Sequence, residues 1–264
     1  MLKSLAQGNS TDFKKIRLIA TDMDGTLTTN GKFTPKLLQT FEQLNAAGIK
    51  VLIVTGRSSG WVSGLSYYLP VEGAIAENGG LFYPSINELT GENSSERPFF
   101  LTPIPDLMIH RQNLEVTFAQ LKLKFPKIKE SSDNIFRLTD WTFDVEGLSQ
   151  LELRTLAHLC HEMGWDFTYS TVQCHIKPQG QDKAVGLWEV LWNFFPGLSP
   201  DEVITVGDSP NDESLFDQRY FPLSVGVANI QEYVDSINHK PKYITNAPEG
   251  KGFCELAHYV LNMF

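Results

Sequence analysis

Ile16-Arg-Leu-Ile-Ala-Thr-Asp-Met-Asp-Gly-Thr26 joins a short apolar run to two carboxylates, two residues apart, and then a glycine. Ile16 to Ala20 reads as a strand buried on both faces, as in the centre of a parallel sheet. Two Asp at the end of such a strand suit ligation of a hard cation, or a division of labour between nucleophile and acid. A solvated Asp/Gly turn gives the same letters, so the motif needs its context. A calcium loop does not fit. That pattern requires a third acidic or amide residue and then Gly, where Thr26 and Leu27 stand, and it requires flanking helices.

The context on either side is alternating strand and helix. Thr34 to Gly48 reads as a helix, with Thr34 as N-cap, Pro35 in the first turn, one face of Leu37, Leu38, Phe41 and Leu44, and Gly48 at its end. Lys50 to Val54 is a second strand, Ser58 to Leu69 a helix and Gly73 to Ala76 a third strand. Farther on, Gln181 to Phe195 reads as a helix, Glu202 to Val206 as a buried strand, and Leu223 to Val227 and Lys242 to Thr245 as two more. Gly252 to Phe264 reads as a terminal helix. Trp188, Trp192 and Phe195 have helical spacing, which predicts core packing. This order predicts an α/β fold, a Rossmann-like doubly wound parallel sheet covered by helices.

Between the two halves the pattern changes. Residues 84–105, rich in Pro, Ser, Asn and Glu, read as a linker. Asp106 to Phe125 reads as a helix with Leu107, Leu114, Phe118 and Leu121 on one face. Ile135 to Val145 and Trp165 to Ile176 alternate as half-exposed strands, and Ser149 to Glu152 has capping-box spacing ahead of a helix closed by Gly164. The expected organisation is a core of residues 1–84 and 179–264 interrupted by an α+β cap, residues 85–178. An insertion of this kind leaves a cleft in which a ligand can bind.

Composition narrows the functions. Apolar residues are 42% of 264, the net charge is −9 from 22 basic and 31 acidic residues, and no basic stripe is present. That argues against nucleic acid as a partner. No apolar run approaches the roughly 18 residues needed to span a bilayer, and the polar start, Met1 to Lys15, lacks signal-peptide features. Three widely spaced cysteines, Cys160, Cys174 and Cys254, suggest reduced thiols. The expected location is cytoplasmic, which leaves the sequon Asn93-Ser-Ser95 without meaning. Oligomeric state is not legible.

Further polar clusters sit where a parallel sheet would collect them. Thr55-Gly-Arg57 follows the second strand, and Gly207-Asp-Ser-Pro-Asn-Asp212 follows the strand ending at Val206. In an open parallel sheet the strand C-termini share one edge, and ligands bind there. Asp22, Asp24, Thr55, Asp208 and Asp212 should therefore converge. Four Asp at one edge repel strongly unless a divalent cation joins them, and oxygen ligands without His or Cys favour Mg²⁺ over Zn²⁺.

DMDGT, TGR, a Lys opening the later helix, and GDSPND, in that order, resemble the four motifs of the haloacid dehalogenase superfamily. Glu77-Asn-Gly-Gly80 followed by an α+β insertion is similar to its subclass IIB, the Cof-type and sucrose-phosphatase-like group. The first and fourth motifs together are highly specific, TGR alone is weak, and the cap matches only in length and element order. The resemblance implies a phosphatase. Asp22 would be the nucleophile that becomes an aspartyl-phosphate, and Asp24 the acid for the leaving alcohol and then the base for water. Asp22 and Asp208 would hold Mg²⁺, with Asp212 either a further ligand or a partner behind the ligands, and Asp24 adding its backbone carbonyl so that its carboxyl stays free for a proton. Thr55, Gly56 and Asn211 would hold phosphate oxygens.

Lys183 matches the third-motif Lys, which would also meet the phosphate, and is favoured over its rival Lys177; Ala184 stands where the family often has Gly. Arg57 could touch phosphate or pair with a carboxylate, and Glu77-Asn78 could shape the cap entrance or simply form a turn. The expected substrate is a small phosphorylated metabolite, a sugar phosphate by resemblance. Two alternatives remain at this point: a phosphotransferase of the phosphomannomutase kind, and a phospho-accepting signalling module.

Overall fold

The computed structural model describes residues 2–85 and 98–263. The sequon at Asn93 and most of the expected linker lie outside these residues. The chain runs β1 (Lys3–Ser4), α1 (Ser10–Phe13), β2 (Leu18–Thr21), α2 (Pro35–Ala46), β3 (Lys50–Val54), α3 (Ser59–Tyr68), β4 (Gly73–Ala76), β5 (Leu81–Pro84) and β6 (Phe99–Phe100). It continues through α4 (Leu107–Lys124), β7 (Trp141–Asp144), α5 (Gln150–Glu162), β8 (Trp165–Tyr169) and β9 (Gln173–Pro178). It ends with α6 (Lys183–Phe194), β10 (Val203–Gly207), β11 (Ser224–Gly226), β12 (Tyr243–Ile244) and α7 (Glu249–Leu261).

The larger sheet has the order β1-β12-β11-β10-β2-β3-β4-β5-β6. Its strands are parallel from β1 through β4, and β5 and β6 close it antiparallel. The chain winds outward one way through β2, β3 and β4 and the other way through β10, β11 and β12, so the order reverses between β2 and β10. Ligands of open α/β sheets bind at such a reversal.

Strand residues alternate between two apolar layers. Ile19, Ile53, Ala74 and Val206 pack with Phe41 of α2, Val62 of α3 and Phe253 of α7. Leu18, Leu52, Val54, Ile75 and Val203 pack on the other side with Leu187 and Leu191 of α6. This is the doubly wound α/β fold expected. Thr34 caps α2 as its sequence implies, its side chain accepting from the Leu37 amide.

A second sheet, β7-β9-β8, is antiparallel and built from the inserted stretch. Its outer face carries Phe143, Cys174 and Ile176 against Leu114 and Leu121 of α4 and Leu156 of α5, a separate apolar cluster. Its other face presents Thr142, Gln173, His175 and Lys177, all buried. The Ser149–Glu152 capping box opens α5 as expected.

Several expectations change. Trp165 to Ile176 is a hairpin of two strands rather than one, turning at 170–172 without Gly or Pro to mark it. Residues 132–136 form a 3₁₀ turn, and the strand expected from Ile135 begins at Trp141. Part of the expected linker forms β6. Trp188 and Trp192 are not core: they are 42% and 77% exposed, because Ala184, Leu187, Val190 and Leu191 already form the sheet-facing stripe of α6. The Trp rings lie on its outer side, while Phe195 is buried. Leu38 and Leu107 likewise sit at the solvent edge of their helices.

Candidate active site

Three carboxylates that sequence separates meet at the β2–β10 reversal. Asp22 follows β2, its amide donating to the Val206 carbonyl at 2.9 Å, and Asp208 follows β10. Oxygens of Asp22, Asp208 and Asp212 all lie within 4.8 Å of one another, and all three residues are buried. Lys183, the first residue of α6 and fully buried, reaches this group. Its Nζ stands 2.5 Å from Asp22 Oδ1 and 2.6 Å from Asp212 Oδ1.

Each carboxylate is aimed by its neighbours. Asp208 accepts from Thr26 Oγ1 at 2.9 Å and Asn229 Nδ2 at 2.8 Å. Asp212 Oδ2 accepts from the amides of Asp208 and Ser209. Gly25, at φ +80°, is required here: a Cβ would stand 2.5 Å from Asp208 Oδ2. Gly79 serves Lys183 in the same way. At φ +98° it lets the β4–β5 turn press on the start of α6, where a Cβ would lie 2.0 Å from the Asp182 carbonyl.

One cation does not neutralise three carboxylates. Burial pushes the Asp22 carboxyl up to about 7, against the pull of Lys183 and with Asp212 adding repulsion. Asp208 is raised well above its ordinary value by burial and by Asp22 and Asp212. Burial opposes the charge on Lys183, but Asp212 and Asp22 more than compensate and hold its ammonium protonated. A buried, oxygen-only group with surplus negative charge fits a small divalent cation held by Asp22, Asp208 and Asp212.

The Asp24 carboxylate is not in this group. Arg57 Nε and Nη2 each donate to it at 2.7 Å, and the guanidinium lies over the Trp61 ring. The expected free carboxyl is thus an ion pair, since Arg57 follows β3 at the same sheet edge and offers a planar fork that matches it. Thr55 Oγ1 accepts from the Arg57 amide, and Asn211 Nδ2 donates to Asn78 Oδ1. Asp22, Asp24, Thr55, Gly56, Arg57 and Asn211 line one narrow cavity, closed from the other side by Ser170, Val172, Gln173 and His175. Lys177 stands apart from Asp22, its ammonium donating to the Gln181 carbonyl.

Sequence reading missed the buried network joining the two sheets. Glu77 and Asn78 have left-handed backbones, φ 52° and 54°, strain that persists only where partners over-determine it. The Glu77 carboxylate accepts from Ser59 N at 2.9 Å, Thr139 N at 2.6 Å, Thr139 Oγ1 at 2.8 Å and the amides of Leu138 and Asp140. A core acid thus holds the segment leading into β7. Glu77→Gln places an amide N–H₂ among these donors. It should cost about 2 kcal/mol in urea denaturation and speed exchange of the Leu138, Thr139 and Asp140 amides. Unchanged stability would mean that Glu77 is not what holds that segment.

A sequence profile of haloacid dehalogenase-like hydrolases matches residues 19–122 and 105–253. The chain belongs to the haloacid dehalogenase-like hydrolases. The enzyme class expected from its motifs, a phosphatase of that superfamily, stands. Phosphoglycolate phosphatase 1 of Saccharolobus solfataricus is 27% identical over 251 residues, covering 93% of this chain and 96% of the relative. Among solved structures, the Thermoplasma acidophilum protein 0175 superposes with a TM-score of 0.72 at 20% identity, covering 93% of this chain and 99% of that one. A haloacid dehalogenase subclass IIB sugar phosphatase superposes at 0.64 with 15% identity, covering 94% and 100%. These two show a shared fold. No described helix is long and apolar enough to cross a membrane.

Proposed function

We propose that this haloacid dehalogenase-like hydrolase is a Mg²⁺-dependent phosphatase of small phosphomonoesters, working through an aspartyl-phosphate on Asp22. The observation that carries this is Lys183 held between Asp22 and Asp212, beside Asp208, at the sheet's reversal point. Asp22 is the nucleophile: its carboxylate oxygen bonds to phosphorus as the ester oxygen departs. Asp24, released from Arg57, gives that oxygen its proton and then takes one from the water that cleaves the Asp22–phosphorus linkage to free inorganic phosphate. Thr55, the Gly56 amide, Asn211 and Lys183 hold the phosphate oxygens. Asp22, Asp208, Asp212 and the Asp24 carbonyl would hold Mg²⁺, which when bound would supply positive charge to the transferring group.

The stretch from α4 to β9, which follows β6 of the large sheet rather than starting at residue 85, acts as the cap that reads the leaving group. The cavity beneath the cap is narrow, which favours a compact alcohol. The candidates run from glycolate, named in the relatives, to a small sugar.

Release of inorganic phosphate from a panel of phosphorylated metabolites tests this reading. Turnover should need Mg²⁺, stop with EDTA and return stoichiometric phosphate. Transfer to a second sugar, or a long-lived phosphoprotein without turnover, would overturn it.

A further inference from the structure

The cap side of the cavity offers three polar side chains, and two are already engaged. Ser170 Oγ accepts from the amides of Val172 and Gln173. Gln173 is held at both ends, its Oε1 accepting from Arg137 at 2.9 Å and its Nε2 donating to Asp133 at 3.1 Å. His175 is different. Its Nδ1 lies 2.8 Å from Asp140 Oδ2, while its Nε2 has no hydrogen-bond partner among the described residues and is not among the enclosed unpaired atoms, which leaves it facing the cavity.

The ring is fixed in place rather than adaptable. Arg137, fully buried, donates to both oxygens of Asp140, at 2.8 and 3.0 Å, and to the Gly56 carbonyl at 3.0 Å. One guanidinium thus ties the His175–Asp140 pair to the loop expected to hold phosphate. His175 Cε1 lies 3.1 Å from where a Cβ on Gly56 would stand. Burial pushes Asp140 up, but Arg137 and His175 outweigh it and keep the carboxylate ionised, so Nδ1 carries the imidazole proton. Burial holds His175 itself below its ordinary value, and the neutral ring leaves a lone pair on Nε2.

We infer that His175 is a specificity residue whose Nε2 accepts a hydrogen bond from a hydroxyl group of the leaving alcohol, so that the site selects phosphorylated polyols and small sugars over alcohols without such a hydroxyl. The inference rests on the phosphatase reading above and narrows its substrate class. A bare carboxylate, which has no proton to donate, gains nothing from this atom. A buried acceptor left unpaired discriminates strongly against an analogue lacking the hydroxyl.

The test is a matched pair, glycerol 3-phosphate against propyl phosphate, with p-nitrophenyl phosphate as the reference for chemistry. The native enzyme should favour glycerol 3-phosphate by about 10- to 100-fold in kcat/KM. His175→Phe should bring the ratio within about threefold, with p-nitrophenyl phosphate turnover measured alongside so that any general loss of chemistry is divided out of both substrates. His175→Gln, which keeps an acceptor in a folded protein, should restore part of the preference. Three results would overturn the inference: no preference in the native enzyme, a preference that persists in His175→Phe, or 2-phosphoglycolate favoured over glycerol 3-phosphate. Failure to hydrolyse even p-nitrophenyl phosphate would instead remove the phosphatase reading itself.

Discussion

Asp22→Asn should lower phosphatase activity by about 10⁴-fold or more, because an amide oxygen does not form the covalent intermediate. The same substitution should stabilise the metal-free protein. Asp22 is buried among Asp208 and Asp212 with one Lys to balance them, and in the folded chain its carboxyl is pushed up to about 7 from an ordinary 3.8. A raised carboxyl contributes stability that is complete below its unfolded value and is lost as pH rises through the folded one. In EDTA the parent should therefore weaken between about pH 4 and pH 8, and Asp22→Asn should weaken less. At pH 8 the variant should exceed the parent by on the order of 2 kcal/mol in urea denaturation.

Mg²⁺ at a hundred times its Kd should add about 2.7 kcal/mol to the parent and less to the variant, which lacks one anionic ligand. Activity loss with no gain in metal-free stability would show that the three carboxylates do not strain the fold. More than 1% residual turnover would remove Asp22 as nucleophile.

That this site could be read from sequence at all depends on one geometric rule. β2, β3, β4 and β10 are continuous apolar runs, so their ends are visible, and parallel pairing puts those ends on one edge. Asp22, Thr55 and Asp208 are the residues immediately beyond. Asn229, which holds Asp208, obeys the same rule beyond β11, where Val227-Ala-Asn229 could have been read likewise. Lys183 was legible through motif order alone.

What stayed hidden was of another kind. Glu77, Arg137, Asp140 and His175 make a buried network only once the small sheet docks on the large one, and no period or spacing announces a contact between residues 62 positions apart such as Glu77 and Thr139. The β8–β9 hairpin was hidden because Ser170, Thr171 and Val172 include no Gly, Pro, Asn or Asp to break the alternation. Trp188 and Trp192 misled because their helical spacing marks a second stripe on α6, whereas the 184–187–191 stripe is the one that meets the sheet. The pairing of Arg57 with Asp24 was an open alternative that side-chain geometry alone could decide.

Lys183→Met should be the most destabilising change at the site. The ammonium is fully buried and touches two of three clustered carboxylates. Methionine matches its length and apolar stem but leaves the acids without a cation. Breaking a buried ion pair from one side costs about 3–5 kcal/mol, most of it from the charges left behind. The pH dependence separates this cause from a packing defect. Without Lys183 the carboxyls take up protons more readily, so the deficit should be smaller at pH 6 and larger at pH 8. Mg²⁺ should recover part of it, since a divalent ion among Asp22, Asp208 and Asp212 replaces the lost positive charge. Activity should stay down by about 10³-fold with Mg²⁺ present, since in the proposed mechanism the ammonium also holds the transferring phosphate. A deficit equal at both pH values and indifferent to Mg²⁺ would mean that Lys183 acts by shape, and the charge balance argued for this cluster would fall with it.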